Sequence, residues 1–112
     1  MSDRLPPPPL RDLLQRLEAG LRGLYGERYR GLLLFGSHAR GDAREGSDID
    51  LLLLLDGPVD PVREILCMEP VTWPLSLAED VVLSVVPVSW EDFDRGEGRF
   101  LRTVRQEAVR AA

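Results

Sequence analysis

Two short groups of residues in this chain have the types and spacing for chemistry. Gly36-Ser37 closes an apolar run, Leu32-Leu33-Leu34-Phe35, and after ten intervening residues Asp48-Ile49-Asp50 opens the next, Leu51 to Leu55. Glycine lets the backbone turn sharply and lets a ligand approach closely. If a short helix begins after Ser37, its free N–H groups and the serine hydroxyl make an anion site, and Arg40 adds a cation for phosphate oxygens. Alternation along a strand puts Asp48 and Asp50 on one face, at the mouth of a core strand where unpaired carboxylates are costly. Hard oxygen ligands so placed suit magnesium, which binds through one or two carboxylates plus substrate phosphates. A two-metal arrangement then serves phosphoryl-type transfer, where charge neutralisation matters more than covalent chemistry. Each half alone has an ordinary explanation: a Gly-Ser turn, or aspartates that cap or pair with Arg40 and Arg44. At this spacing they are complementary halves of one nucleotide site.

The elements that must position these residues follow from periodicity. Met1 to Pro9, with four consecutive prolines, reads as an extended lead-in, and residues 10–112 as one domain. Leu10, Leu13, Leu14, Leu17, Leu21 and Leu24 give a helix over 10–25, weakened by Gly20 and Gly23 and stopped at Gly26. Strands are expected over 30–35 and 48–55, apolar on both faces, with a short helix from Ser37 to Arg40 and a solvated loop tip at Arg44-Glu45. Asp60-Pro61 starts a helix that ends near Glu69, or kinks at Pro70 and Pro74 and resumes over 75–79. Trp73 is expected as a packing anchor, with a partner contact as the alternative, and Cys67 as a small buried residue. Val81 to Val88 is the third strand, Ser89 caps a short helix, and Phe100 to Ala111 is the last helix, with Leu101, Val104, Ala108 and Val109 as its inward candidates. The result is an α/β (α+β) arrangement, a small mixed β-sheet flanked by helices.

Composition sets the class. With 112 residues, 44% hydrophobic and 29% charged, the chain is an ordinary globular domain. A net charge of −5 argues against a duplex-DNA binder or an anionic-membrane binder. One cysteine excludes an internal disulfide and a cysteine metal cluster. No signal peptide or membrane span is legible, so a cytoplasmic setting is expected. All basic side chains are arginines, a bias better explained by genome composition or a thermophilic source than by function.

Gly36-Ser37 and Asp48-Ile49-Asp50 together resemble the signature of the nucleotidyltransferase superfamily that includes DNA polymerase beta. The fuller string GSHARGDAREGSDIDLLLLL is similar to prokaryotic minimal nucleotidyltransferase (MNT) domains. The resemblance implies the nucleotidyltransferase fold, ATP held by Gly36, Ser37 and Arg40, and Mg²⁺ in a two-metal site at Asp48 and Asp50. It implies transfer of AMP from ATP to a hydroxyl. The MNT likeness further suggests an antitoxin that modifies a HEPN-domain RNase toxin. The superfamily also has a third carboxylate on a neighbouring strand. In Glu79 to Val85 the residues nearest that depth are Val82 and Ser84, and Asp80 is the only carboxylate on their face, which makes it the candidate third catalytic and metal-binding residue. His38 is expected beside the phosphates. Two other readings stay open: an antitoxin that acts by occlusion alone, and transfer to a small-molecule hydroxyl.

Overall fold

The computed structural model describes residues 6–111; Met1–Leu5 of the expected lead-in, and Ala112, lie outside them. In order, the elements are α1 (Pro8–Tyr25), β1 (Tyr29–Phe35), α2 (Ser37–Arg40), β2 (Ile49–Leu55), α3 (Pro61–Glu79), β3 (Leu83–Ser89), α4 (Trp90–Arg95), α5 (Arg99–Glu107) and β4 (Val109–Arg110). The sheet order is β3-β2-β1-β4. Strand β1 runs antiparallel to β2 and β4, and β2 runs parallel to β3 across the α3 connection.

β2 is central and covered on both faces, which is why Leu51 to Leu55 need no polar alternation. Ile49, Leu51, Leu53 and Leu55 pack with Leu32 and Leu34 against α1 and Met68 of α3. Leu52 and Leu54 pack with Leu33 against Phe93, Val104 and Ala108. Asp50 shares the second face, at the end of the strand where that cover stops. Ser89 caps α4 as expected, its Oγ accepting from the Asp92 N–H at 3.1 Å. Ser89→Ala should cost about 1 kcal/mol, or roughly 4 °C in a thermal melt, without affecting the site at the opposite end of β3.

Four expectations are corrected. Pro8 and Pro9 are helical, because proline's missing N–H and fixed φ are tolerated in a first turn. α3 runs unbroken through Pro70 and Pro74. Both prolines sit on its exposed side, so the carbonyls they leave without an N–H partner are open to water. The last helix stops at Glu107, and Val109-Arg110 instead pairs with β1 at Leu34 and Leu33. That pairing satisfies the free edge of β1 and buries Val109 and Ala111 on either side of exposed Arg110. Finally, α3 buries only a narrow stripe, Glu64 and Met68 with Val71 and Leu75 partly covered. Trp73 is 64% exposed and Cys67 is exposed, so neither is the packing residue expected.

Gly20 also acquires a reason. A Cβ there would lie 2.6 Å from Cγ1 of Val71, so the glycine lets α1 and α3 approach. Among the described residues no helix is long and apolar enough to cross a membrane.

Candidate active site

β1 leaves the sheet at Phe35, which is paired with Asp50 of β2. The next residue, Gly36, has φ 74° and ψ −155°, a conformation essentially restricted to glycine. The turn folds the backbone directly against Asp50: a Cβ on Gly36 would lie 2.4 Å from Asp50 Oδ2. The α2 turn then starts at Ser37, with the Ala39 and Arg40 amides donating to the Gly36 carbonyl. The Ser37 hydroxyl makes no hydrogen bond among the described residues. The expected helical turn at Ser37 to Arg40 is therefore present, and Gly36, Ser37 and Asp50 adjoin one another.

Asp48 is exposed, just before β2, and Asp50 is half-buried. Among the described residues no arginine pairs with either, so the salt-bridge explanation with Arg40 or Arg44 does not hold. Arg40 pairs instead with Asp42 at 3.3 Å and Glu107 at 3.2 Å. The Asp50 carboxyl is pushed above its usual range, first by burial and then by the charge of Asp48. His38 and Arg40 pull it down, and Glu107 adds a smaller upward push. The positive fields of His38 and Arg40 are thus outweighed at Asp50 by burial and by Asp48. His38 lies beside the same loop, its Nε2 3.3 Å from the Ser47 carbonyl oxygen. Together with Ser47, Ile49, Asp80 and Val82 it lines a cavity of about 470 Å³.

Asp80 is placed differently from the expectation. It ends α3 in the left-handed conformation, φ 53° and ψ 49°, before the third strand begins. The β2–β3 register sets Ser84, not Asp80, beside Asp50. Among the described residues no three or more His, Cys, Asp or Glu side chains form a group that could hold a metal ion. Asp48 and Asp50 are therefore a pair without Asp80.

One residue of the site was missed. Glu107, at the end of α5, accepts a hydrogen bond from the Gly36 N–H through Oε1 at 2.9 Å. Nothing in its helical spacing marks it, because the contact spans 71 positions and depends on where α5 stops.

The nucleotidyltransferase domain family matches residues 15–95, more than half of the chain. The chain belongs to this family. A relative from Methanocaldococcus jannaschii, provisionally named a protein adenylyltransferase, is 39% identical over 75 residues, covering 67% of this chain and 69% of its own. A minimal nucleotidyltransferase structure, so described provisionally, is 29% identical with TM-score 0.56, covering 89% of this chain and 93% of that one. A chain in the complex of a tri-AMPylated Shewanella oneidensis HEPN toxin with an MNT antitoxin superposes with TM-score 0.58 at 17% identity. That match covers 92% of this chain and 71% of the other and shows a shared fold.

Nucleotidyltransferases generally use a nucleotide substrate and divalent metal ions. The residues of this nucleotidyltransferase domain fit that requirement. They offer two neighbouring carboxylates, neither in an ion pair among the described residues, and one of them disfavoured in its charged form by burial and by the other more than His38 and Arg40 favour it. A divalent cation is the natural compensation.

Proposed function

We propose that this domain transfers AMP from ATP to a hydroxyl of a protein partner, and that the partner is a HEPN toxin. The observation that carries the reading is the Asp48/Asp50 pair, in no ion pair with arginine among the described residues, with Asp50 abutting the glycine turn at Gly36. Gly36, Ser37 and Arg40 receive the triphosphate, and Asp48 and Asp50 hold Mg²⁺. The metal, when bound, neutralises the triphosphate and stabilises charge on the leaving pyrophosphate. The acceptor oxygen forms a bond to the α-phosphorus as the bond to the bridging oxygen of the β-phosphate breaks. Pyrophosphate departs, and the hydroxyl proton passes to a carboxylate of the site. The turn and strand β2 hold the reacting groups in line, which is the chain's main contribution to rate.

The apolar exterior of α3 supports a protein acceptor over a small molecule. Ile65, Leu66, Trp73 and Leu77 are exposed, as is Val82 beside the loop cavity, and a groove of about 360 Å³ is lined by Ile65, Trp73, Leu77 and Val82. The names of the Methanocaldococcus relative and of the AMPylated HEPN complex point the same way. Incubation with Mg²⁺, ATP and a HEPN-domain protein that the chain binds should add the mass of one adenylyl group to that protein. A bound partner that stays unmodified contradicts the proposal.

Ser84 beside Asp50, where a third carboxylate was sought, favours a second reading in which the domain silences its partner by occlusion. Occlusion alone requires that Asp48→Asn with Asp50→Asn still neutralises the toxin in cells. Loss of neutralisation by this double variant, still folded and bound, rules it out.

A further inference from the structure

We propose that Glu107 is a built-in competitor of the nucleotide, an internal anion seated on the donors that a triphosphate needs. The inference rests on the nucleotide reading above. Glu107 Oε1 accepts from the Gly36 N–H at 2.9 Å, and both its carboxylate oxygens receive Arg40 Nη1, at 3.4 and 3.2 Å. A carboxylate and a phosphate call on the same donors: a backbone N–H at a tight turn and a guanidinium. The Glu107 side chain is 18% exposed, whereas Arg40 is about half open to water and Asp42, with which Arg40 also pairs, is mostly open. Glu107 therefore plugs the inner part of the seat.

The placement is held by these contacts and opposed by its surroundings. Glu107 is the last residue of α5, the end of a helix where a negative charge is disfavoured. It also adds a third negative charge beside Asp48 and Asp50, and its field contributes to raising Asp50. The backbone that follows it is tethered. The Ala108 N–H bonds back to the Val104 carbonyl, and Val109 pairs with Leu34. Release therefore needs only a side-chain rotation, with α5 and β4 left in place. An incoming triphosphate takes over the Gly36 N–H and Arg40, and the adjacent Ser37 hydroxyl is free to join it.

Calorimetric titration of the full chain with Mg·ATP tests this. If the seat is filled in about nine molecules of ten, apparent affinity is lowered roughly tenfold. Glu107→Ala, which removes both contacts, should bind Mg·ATP about tenfold more tightly than wild type, a gain of ~1.4 kcal/mol. Glu107→Gln keeps the shape and a neutral acceptor for the Gly36 N–H but loses the charge on Arg40, and should fall between the two. Unchanged or weaker binding by folded Glu107→Gln and Glu107→Ala overturns the inference. If wild type binds and Asp48→Asn does not, while Glu107→Ala brings no gain, the nucleotide reading stands and only the role of Glu107 fails. If wild type and Glu107→Ala both fail to bind Mg·ATP, both fail together.

Discussion

Asp50→Asn is expected to abolish nucleotidyl transfer and at the same time to make the domain more resistant to heat. The loss follows from its position: Asp50 is the inner member of the carboxylate pair, paired with Phe35 at the end of β1 and pressed against Gly36. A metal-holding carboxylate supplies several kcal/mol of transition-state stabilisation, so the rate should fall about 10³-fold or more. The gain in stability follows from the raised carboxyl. Burial first, and Asp48 next, make the folded state hold this proton more tightly than the unfolded chain does. Deprotonation therefore costs the folded state, and that cost grows as pH rises through the carboxylate range. Asparagine keeps the shape and removes the charge. The melting temperature at pH 7 should rise by about 2–4 °C, corresponding to roughly 0.5–1 kcal/mol. The difference should shrink as pH falls through the raised range in which folded Asp50 takes up its proton, and vanish below about 4, where the carboxyl is protonated in the folded and unfolded chains alike. Scanning calorimetry of the two proteins across pH checks the sign. A variant less stable than wild type at pH 7 contradicts the account of Asp50 as a destabilised, site-directed carboxylate.

Gly36→Ala should damage the fold and the site together. At φ 74° and ψ −155° any side chain costs about 1–3 kcal/mol, or roughly 4–12 °C in a melt. The added Cβ would stand 2.4 Å from Oδ2 and 3.2 Å from Cγ of Asp50. Either the carboxylate swings away or the turn opens, and each outcome separates the proposed phosphate-binding donors from Asp50. A displacement of about 1 Å at reacting groups can cost on the order of 10²-fold in rate. AMP transfer by Gly36→Ala should therefore fall at least that far even at temperatures where the variant is fully folded. Transfer at the wild-type rate by a folded variant would show that the close packing of turn and carboxylate is not used in the reaction.

What could be read in the sequence was local. The glycine turn, the short helix after it and the entry into β2 depend on neighbouring residues and on alternation, and the sequence from Phe35 to Leu55 carries both signals. The central strand was legible because Leu51 to Leu55 leave no solvent face. Strand β4 was not, because Val109-Arg110-Ala111 alternates over too few residues and follows directly on a helical pattern. α3 was misjudged at Pro70 and Pro74, whose effect depends on which side of the helix faces water, and at Trp73, whose apolar character says nothing about what covers it. The displacement of Asp80 turns on the β2–β3 register, which sets Ser84 against Asp50. Glu107 depends on the point at which α5 gives way to β4, and no pattern near residue 107 records that this carboxylate reaches the N–H of Gly36.

The central claim is that the Gly36 turn and the Asp48/Asp50 pair move an adenylyl group onto a protein hydroxyl. The most direct measurement compares two labels on ATP, one in the α-phosphate and one in the γ-phosphate, incubated with Mg²⁺, the domain and the proposed HEPN partner. The account predicts that the α label becomes covalently attached to the partner, that the γ label leaves with pyrophosphate, and that Asp50→Asn abolishes the transfer. Retention of the γ label, or α-label transfer undiminished in Asp50→Asn, would contradict it.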